Sequence, residues 1–112
     1  MTLRQKQSLF VRLIGLFIAE AYRRGYELTF GEAWRTPEQA ALNAKAGKGI
    51  ANSLHLDRLA IDFNLFRDGR YLSSNESWRE LGEFWESLHP LCCAGFRFGD
   101  GNHLSVTHGG RK

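Results

Sequence analysis

The chain has 112 residues, of which 43% are hydrophobic and 12% aromatic, a composition that excludes a disordered protein and suits one domain, residues 1–112. Its formal net charge of +3 suits an acidic polymer, either nucleic acid or cell-wall material, and does not distinguish between them. The two cysteines, Cys92 and Cys93, are adjacent, which excludes a disulfide framework and favours small buried side chains over a metal role.

The first predicted element is a long helix from Leu3 to Arg24. Its apolar residues recur every three or four positions, as in an amphipathic helix that faces a core, at Phe10, Leu13, Ile14, Phe17, Ile18 and Ala21. Gly25 is a common helix-end signal. Arg12 interrupts the apolar run, and a membrane span needs about 20 apolar residues, so we expect neither a span nor a signal peptide.

The next segment contains a predicted strand, a short helix and a loop, in that order. Residues Tyr26–Ala33 mix aromatic and β-branched side chains with polar ones and predict a strand. Thr36 caps a helix over Pro37–Ala44, because proline is favoured in the first turn. The glycine-rich stretch Gly47–Ser53 predicts a loop, in which Lys48 is a solvated side chain or a contact for an acidic substrate group.

The rest of the chain predicts four strand segments and one helix: strand Leu59–Phe66, hairpin return Arg70–Leu72, helix Glu76–Leu88, and strands Gly95–Phe98 and His103–Val106. Asp68 and Gly69 form the hairpin turn. Strands that neighbour each other along the chain, with helices between, predict an α+β fold. We expect a small, largely antiparallel sheet packed with about three helices.

Three side chains are candidate metal ligands: His55, Asp62 and His103. Asp62 lies in an apolar strand, where an unpaired carboxylate is costly to bury, so it needs a metal ion or an arginine; the strand alone leaves both open. A lone histidine such as His103 is more often a hydrogen-bonded structural residue than a metal ligand. His55 and Asp62 are seven residues apart, so they meet only if the chain bends between them. Two histidines and one aspartate leave an open fourth position, as in catalytic zinc sites.

Three ordered stretches carry a family resemblance. Residues Ser53–Asp62 resemble the Ser-x-His-(six residues)-Asp signature of the zinc D-alanyl-D-alanine carboxypeptidase family, which includes phage L-alanyl-D-glutamate endopeptidases. Residues Asp100–His103 resemble its second element, an acidic residue followed three positions later by the last metal ligand. Gly31–Gln39 resembles its upstream segment, where an arginine ends a strand beside the cleft. Order and spacing agree from about Tyr26 to Ser105.

The resemblance implies a Zn²⁺ ion in a cleft on the sheet, held by His55, Asp62 and His103. Asp100, which alone would be a solvated turn residue, is then the general base and later the general acid. Arg35 holds the substrate or the developing oxyanion, and Ser53 hydrogen-bonds the substrate. Glu32 either contacts the substrate or, as we expect more, forms an ion pair with a neighbouring arginine.

The implied function is a zinc metallopeptidase that hydrolyses a peptide bond of the peptidoglycan stem. Asp100, where many carboxypeptidases have glutamate, favours an L-alanyl-D-glutamate endopeptidase of the phage endolysin type. We expect a monomer made in the host cytoplasm that acts on the cell wall after release through a separate membrane pore. The alternatives are a D-alanyl-D-alanine carboxypeptidase, a non-catalytic metal-binding or wall-binding domain, and a nuclease; the last lacks a Lys/Arg-dense stripe, so we expect no nucleic-acid partner.

Besides Asp100, the position of Arg58 departs from the family pattern. Many members have glycine three residues after the first histidine, and this chain has Arg58. A positive φ would strain an arginine there. We therefore expect the loop to take another conformation, or Arg58 to line the cleft.

Overall fold

A computed structural model describes residues 1–47 and 53–112; Lys48, Gly49 and Asn52 of the predicted loop lie outside this part of the chain. The helices are α1 (Leu3–Arg23), α2 (Pro37–Lys45) and α3 (Arg79–Leu88). The strands are β1 (Glu27–Phe30), β2 (Ala60–Arg67), β3 (Arg70–Tyr71), β4 (Cys92–Ala94) and β5 (His103–Val106). Short 3₁₀ turns cover Leu54–Asp57, Glu76–Trp78 and Gly95–Phe98.

The five strands of the described residues form one sheet in the order β1-β2-β5-β4, with β3 also paired to β2, and every pairing is antiparallel. The β2–β3 hairpin turns at Asp68 and Gly69, whose φ values of 51° and 77° are the pair that a two-residue hairpin turn requires. The predicted α+β fold, with a small antiparallel sheet and about three helices, is confirmed.

Helix α1 follows its predicted bounds closely. Thr2 accepts a hydrogen bond from the backbone N–H of Gln5, whose side chain bonds back to Thr2, so both ends of a capping box are present. Gly25 ends the helix with a φ of 87°. No helix among the described residues is both long enough and apolar enough to cross a membrane.

The core lies between one face of the sheet and helices α1 and α3. The Phe17 ring is 5.9 Å from the Phe63 ring and 6.0 Å from the Trp85 ring, centroid to centroid. The indole N–H of Trp85 donates to the Ser105 carbonyl at 3.1 Å, so α3 is bonded directly to β5. Since alternate residues of a strand face opposite sides, this buried face leaves Asp62 and His103 on the other side of the sheet.

The predicted strand over Gly95–Phe98 is wrong. These residues form a 3₁₀ turn, and the strand that pairs with β5 is the preceding β4. The reason is a close backbone approach: a Cβ on Gly95 would lie 2.0 Å from the Asp100 carbonyl oxygen and 2.9 Å from the His103 Cβ. The chain folds back here so that the Asp100 N–H donates to the Gly95 carbonyl at 2.9 Å, a bond that an extended strand over these residues would prevent.

Both cysteines are free, as predicted. Cys92 is buried, and burial raises the pKa of its thiol to about 12, so it stays protonated at neutral pH. Cys93 is half-buried, and burial raises the pKa of its thiol as well. Their environment is that of small packing residues.

Replacing Gly95 with alanine is expected to lower the free energy of unfolding by about 1–3 kcal/mol or more, because the added methyl group must displace the Asp100 backbone. Chemical denaturation measures this change. The control is Gly15→Ala: Gly15 lies in α1 with no atom within 4 Å of an added Cβ, so alanine should stabilise the helix by about 0.5–1 kcal/mol. Equal stability of the Gly95→Ala variant and the native protein would contradict the expectation.

Candidate metal centre

Two neighbouring strands place the first two candidate ligands side by side. Asp62 of β2 is directly opposite His103 of β5 in the antiparallel register. Side chains of directly opposed residues lie close together on the same face of a sheet. The third candidate, His55, comes from the 3₁₀ turn over Leu54–Asp57, which precedes β2.

The bend between His55 and Asp62 is made by Arg58. Its φ of 55° and ψ of 37° are left-handed, and its N–H donates to the His55 carbonyl at 3.3 Å. The expectation that an arginine here would change the loop conformation is therefore wrong. Arg58 has a positive φ, and the bend that this makes brings His55 back towards Asp62 of β2.

The three side chains converge on one point. His55 Nε2 lies 3.4 Å from Asp62 Oδ1, and His103 Nδ1 lies 3.3 Å from the same oxygen. One donor atom from each residue lies within 4.8 Å of the others. Ligands about 2.0–2.1 Å from a tetrahedral Zn²⁺ ion are roughly 3.3–3.4 Å apart. The cluster can therefore hold a metal ion, and its donor types and the two distances to Asp62 fit zinc.

Within the cluster, Asp62 and His103 each stabilise the charged form of the other. Burial alone would raise the pKa of Asp62, but hydrogen bonds from His103 and His55 outweigh it and lower this pKa to about 2. Burial alone would lower the pKa of His103, but its hydrogen bond to Asp62 and the nearby charges of Asp62 and Asp100 raise it. Asp62 is thus an anion at neutral pH, and a metal ion has to compete with a proton for His103 Nδ1.

The outer nitrogen of each imidazole also has a defined environment. His103 Nε2 lies 3.1 Å from the main-chain oxygen of Lys112, and the Ser105 hydroxyl donates to that oxygen at 2.7 Å. An N–H at Nε2 leaves Nδ1 as the metal-binding nitrogen. His55 Nδ1 is buried without a hydrogen-bond partner among the described residues, and Glu32 Oε1 lies 3.8 Å away. A bound ion at Nε2 would leave that Nδ1 with its N–H towards Glu32.

Asp100 lies beside the cluster without being part of it. Its Oδ2 is 3.9 Å from His103 Nδ1, beyond hydrogen-bond length, and 56% of its side chain is exposed. The turn that carries it is tight: its N–H donates to the Gly95 carbonyl at 2.9 Å, and its carbonyl accepts from the His103 N–H at 3.0 Å. Asp100 is therefore a solvent-accessible carboxylate held close to a ligand histidine.

Arg35 reaches the site through the segment after β1. That strand is shorter than predicted, yet the Gly31 N–H still donates to the Asp62 carbonyl, and the Asp62 N–H to the Glu32 carbonyl, both at 2.8 Å. The backbone N–H of Arg35 donates to the His55 carbonyl at 3.4 Å. The Arg35 side chain pairs with Glu32, as predicted for that glutamate. The structure thus brings Arg35 next to the first ligand.

Ser53 is the one candidate that the structure places in a local structural contact. It is buried, and its hydroxyl accepts a hydrogen bond from the His55 N–H at 3.2 Å, which caps the turn that carries this ligand. Its role in binding substrate stays a prediction.

Two contributors were missed in the sequence: the main-chain oxygen of Lys112 and the Ser105 hydroxyl. A backbone oxygen has no side-chain signature, so no pattern could have indicated Lys112. The sequence could have indicated Ser105. It follows His103 by two residues on the same strand, so both side chains lie on the same face of the sheet.

Comparison with known proteins gives a structural match alone. No family model matches the chain, and no curated protein matches it. It is similar to the crystal structure of the Serratia marcescens L-Ala D-Glu endopeptidase ChiX, with a TM-score of 0.71 and 20% sequence identity, over 88% of this chain and 77% of that chain. At this identity the likeness shows a common fold. The protein thus has the fold of a solved endopeptidase and a His-Asp-His cluster that can bind a metal ion.

Proposed function

We propose that this protein is a zinc-dependent peptidase that hydrolyses a peptide bond of the peptidoglycan stem. The observation that carries the proposal is the convergence of His55, Asp62 and His103, with the accessible carboxylate of Asp100 beside them. Three ligands leave a fourth position for water or substrate, which structural zinc sites with four protein ligands lack. A non-catalytic metal-binding domain has no need of that neighbouring carboxylate.

Each residue of the site has a separate role in the proposed peptide hydrolysis. A bound zinc ion polarises the scissile carbonyl and increases the acidity of water. Asp100 accepts the proton of the attacking water and delivers it to the leaving amine. We assign to Arg35, whose backbone N–H is bonded to the His55 carbonyl and whose side chain pairs with Glu32, the contact with the substrate or with the developing oxyanion. The hydrogen bond between the half-buried Asp62 and the buried His103 holds these two side chains in place.

The bond that we propose is the one between L-alanine and D-glutamate. Two arguments support it: the aspartate at position 100, where many carboxypeptidases of the resembled family have glutamate, and the fold shared with a solved L-Ala D-Glu endopeptidase. The proposal includes action in the cell wall after synthesis in the host cytoplasm, as for a phage endolysin.

Digestion of purified peptidoglycan tests this function. With the zinc-loaded protein, we expect release of stem peptides that begin with D-glutamate, identified by mass. A chelator should stop the release, and added Zn²⁺ should restore it. A carboxypeptidase would release free D-alanine instead, and a nuclease would cleave DNA with Mg²⁺ and leave the wall intact. No release in zinc-replete buffer would overturn the proposal.

A further inference from the structure

Arg58 has a backbone conformation that glycine would adopt with less strain. Among the described residues, the non-glycine positions with positive φ are Arg58 and Asp68. Asp68 is in a hairpin turn, where a short polar side chain tolerates this region. The long side chain of Arg58 has no such local advantage. Strained positions of this kind cluster at functional sites, so the Arg58 side chain needs an explanation.

The guanidinium of Arg58 is held over an aromatic ring. It lies 4.7 Å from the centroid of the Trp34 ring, a cation–π contact between two exposed residues. Arginine stacked in this way keeps its donors free at the edge of the guanidinium plane for a carboxylate. The contact orients the positive charge without neutralising it.

No carboxylate among the described residues pairs with Arg58. The neighbouring Asp57 is bonded to Arg111, and residues 48–52 contain no Asp or Glu. Arg35 differs in this respect, since it is paired with Glu32. Arg58 is therefore, within residues 1–47 and 53–112, a cation attached to the His55 turn that has no acidic partner.

The Arg58–Trp34 pair lies beside the metal cluster. The N–H groups of Arg58 and Arg35 both donate to the His55 carbonyl, at 3.3 and 3.4 Å. Trp34 directly precedes Arg35, so the two stacked residues belong to the two backbone segments that meet at His55. Through these backbone bonds, both stacked residues are attached to the turn that carries the first candidate ligand.

We propose that Arg58, oriented by Trp34, binds a free carboxylate of the substrate next to the scissile bond, so that the enzyme discriminates between acidic and amidated stem peptides. The inference rests on the proposed peptidase function and deepens it. The D-glutamate residue of the proposed bond supplies a carboxylate, and amidation removes its charge while keeping its shape. A charge-assisted Arg–carboxylate contact is stronger and better oriented than a neutral one.

The test compares two synthetic stem peptides, one with the free glutamate carboxylate and one with the carboxamide. The zinc-loaded native protein should have a kcat/KM about tenfold higher for the free carboxylate, mostly through KM. Arg58→Gly should remove this preference by lowering kcat/KM for the free carboxylate towards the value for the carboxamide. Arg58→Lys should restore part of it. Glycine fits the φ of 55° better, so Arg58→Gly should fold at least as well as the native protein.

Asp68→Gly is the matched control, because it relieves a similar backbone strain and leaves Arg58 in place. This variant should keep the native preference. If the native protein cleaves both peptides and Arg58→Gly keeps the tenfold ratio, the inference is overturned and the peptidase function stands. If the zinc-loaded native protein cleaves neither peptide nor peptidoglycan, the function itself fails, and the role of Arg58 fails with it.

Discussion

Replacing Asp100 with asparagine should lower kcat for peptide hydrolysis by about 10²–10⁴-fold and leave zinc bound. Asparagine keeps the size of the side chain but cannot accept the proton of the attacking water. The carboxylate is also too far from His103 Nδ1 to hold the ligand set together, at 3.9 Å. Its loss should therefore change metal affinity only slightly. Peptide-hydrolysis kinetics and the zinc content of the purified variant measure the two effects.

The control for this variant is Asp68→Asn, which removes an equivalent charge from the β2–β3 turn and should leave kcat unchanged. Native digestion rates in Asp100→Asn would refute its role as general base. Loss of zinc together with activity would instead make Asp100 a ligand. The paired readouts thus separate a proton-transfer role from a metal-binding role.

The second large effect is expected for Asp62→Ala, which should abolish both metal binding and activity. One Asp62 oxygen lies within 3.4 Å of His55 Nε2 and within 3.3 Å of His103 Nδ1, so it joins the two imidazoles. Without it two neutral nitrogens remain, and zinc affinity should fall by more than about 100-fold, beyond the range seen for outer contacts of metal sites. Competition with a chromogenic chelator measures this affinity.

Thermal unfolding gives an independent readout of the same site. A metal that binds the folded state alone raises the melting temperature, so Zn²⁺ should stabilise the native protein and leave Asp62→Ala unchanged. Asn64→Ala is the control: Asn64 lies two residues further along β2, where its amide donates to the Thr29 hydroxyl at 3.1 Å. This control should keep the zinc-induced shift. A zinc-dependent shift of native size in Asp62→Ala would mean that the ion binds elsewhere.

Much of the fold follows from local patterns in the sequence. The three- and four-residue spacing of apolar side chains gave α1, and Thr36 with its proline gave the start of α2, where Thr36 accepts a hydrogen bond from the Gln39 N–H. The Asp68–Gly69 pair gave the β2–β3 hairpin. Such signals act within a few residues, so they can be recognised without knowing the tertiary structure.

The errors occurred where distant residues decide the local conformation. The strand predicted over Gly95–Phe98 failed because the Asp100 carbonyl packs against Gly95. Strand β4 has three residues and depends on its pairing with β5, so it left no local alternation to recognise. The shape of the first ligand loop was misjudged for a similar reason: the tertiary structure imposes the left-handed conformation on Arg58 despite its side chain.

The sequence predicted which residues form the candidate metal site, but it did not predict how they are arranged. His55, Asp62 and His103 were identified from ordered motifs, and the cluster brings the three together. The seven-residue separation of His55 and Asp62 required a bend, without indicating that one residue at 58 makes it. The contacts of the outer nitrogens, with Lys112 and near Glu32, join segments far apart in the chain, and no spacing encodes them.

The bond between His103 and the main-chain oxygen of Lys112 has a practical consequence for recombinant work. A purification tag fused after residue 112 starts at the peptide group that carries this oxygen, and it brings extra bulk to the rim of the cluster. A polyhistidine tag there would also add competing imidazoles within reach of the ion. Metal bound by the tag would add to the metal content measured on such a fusion, so a cleavable tag before Met1 is the better choice.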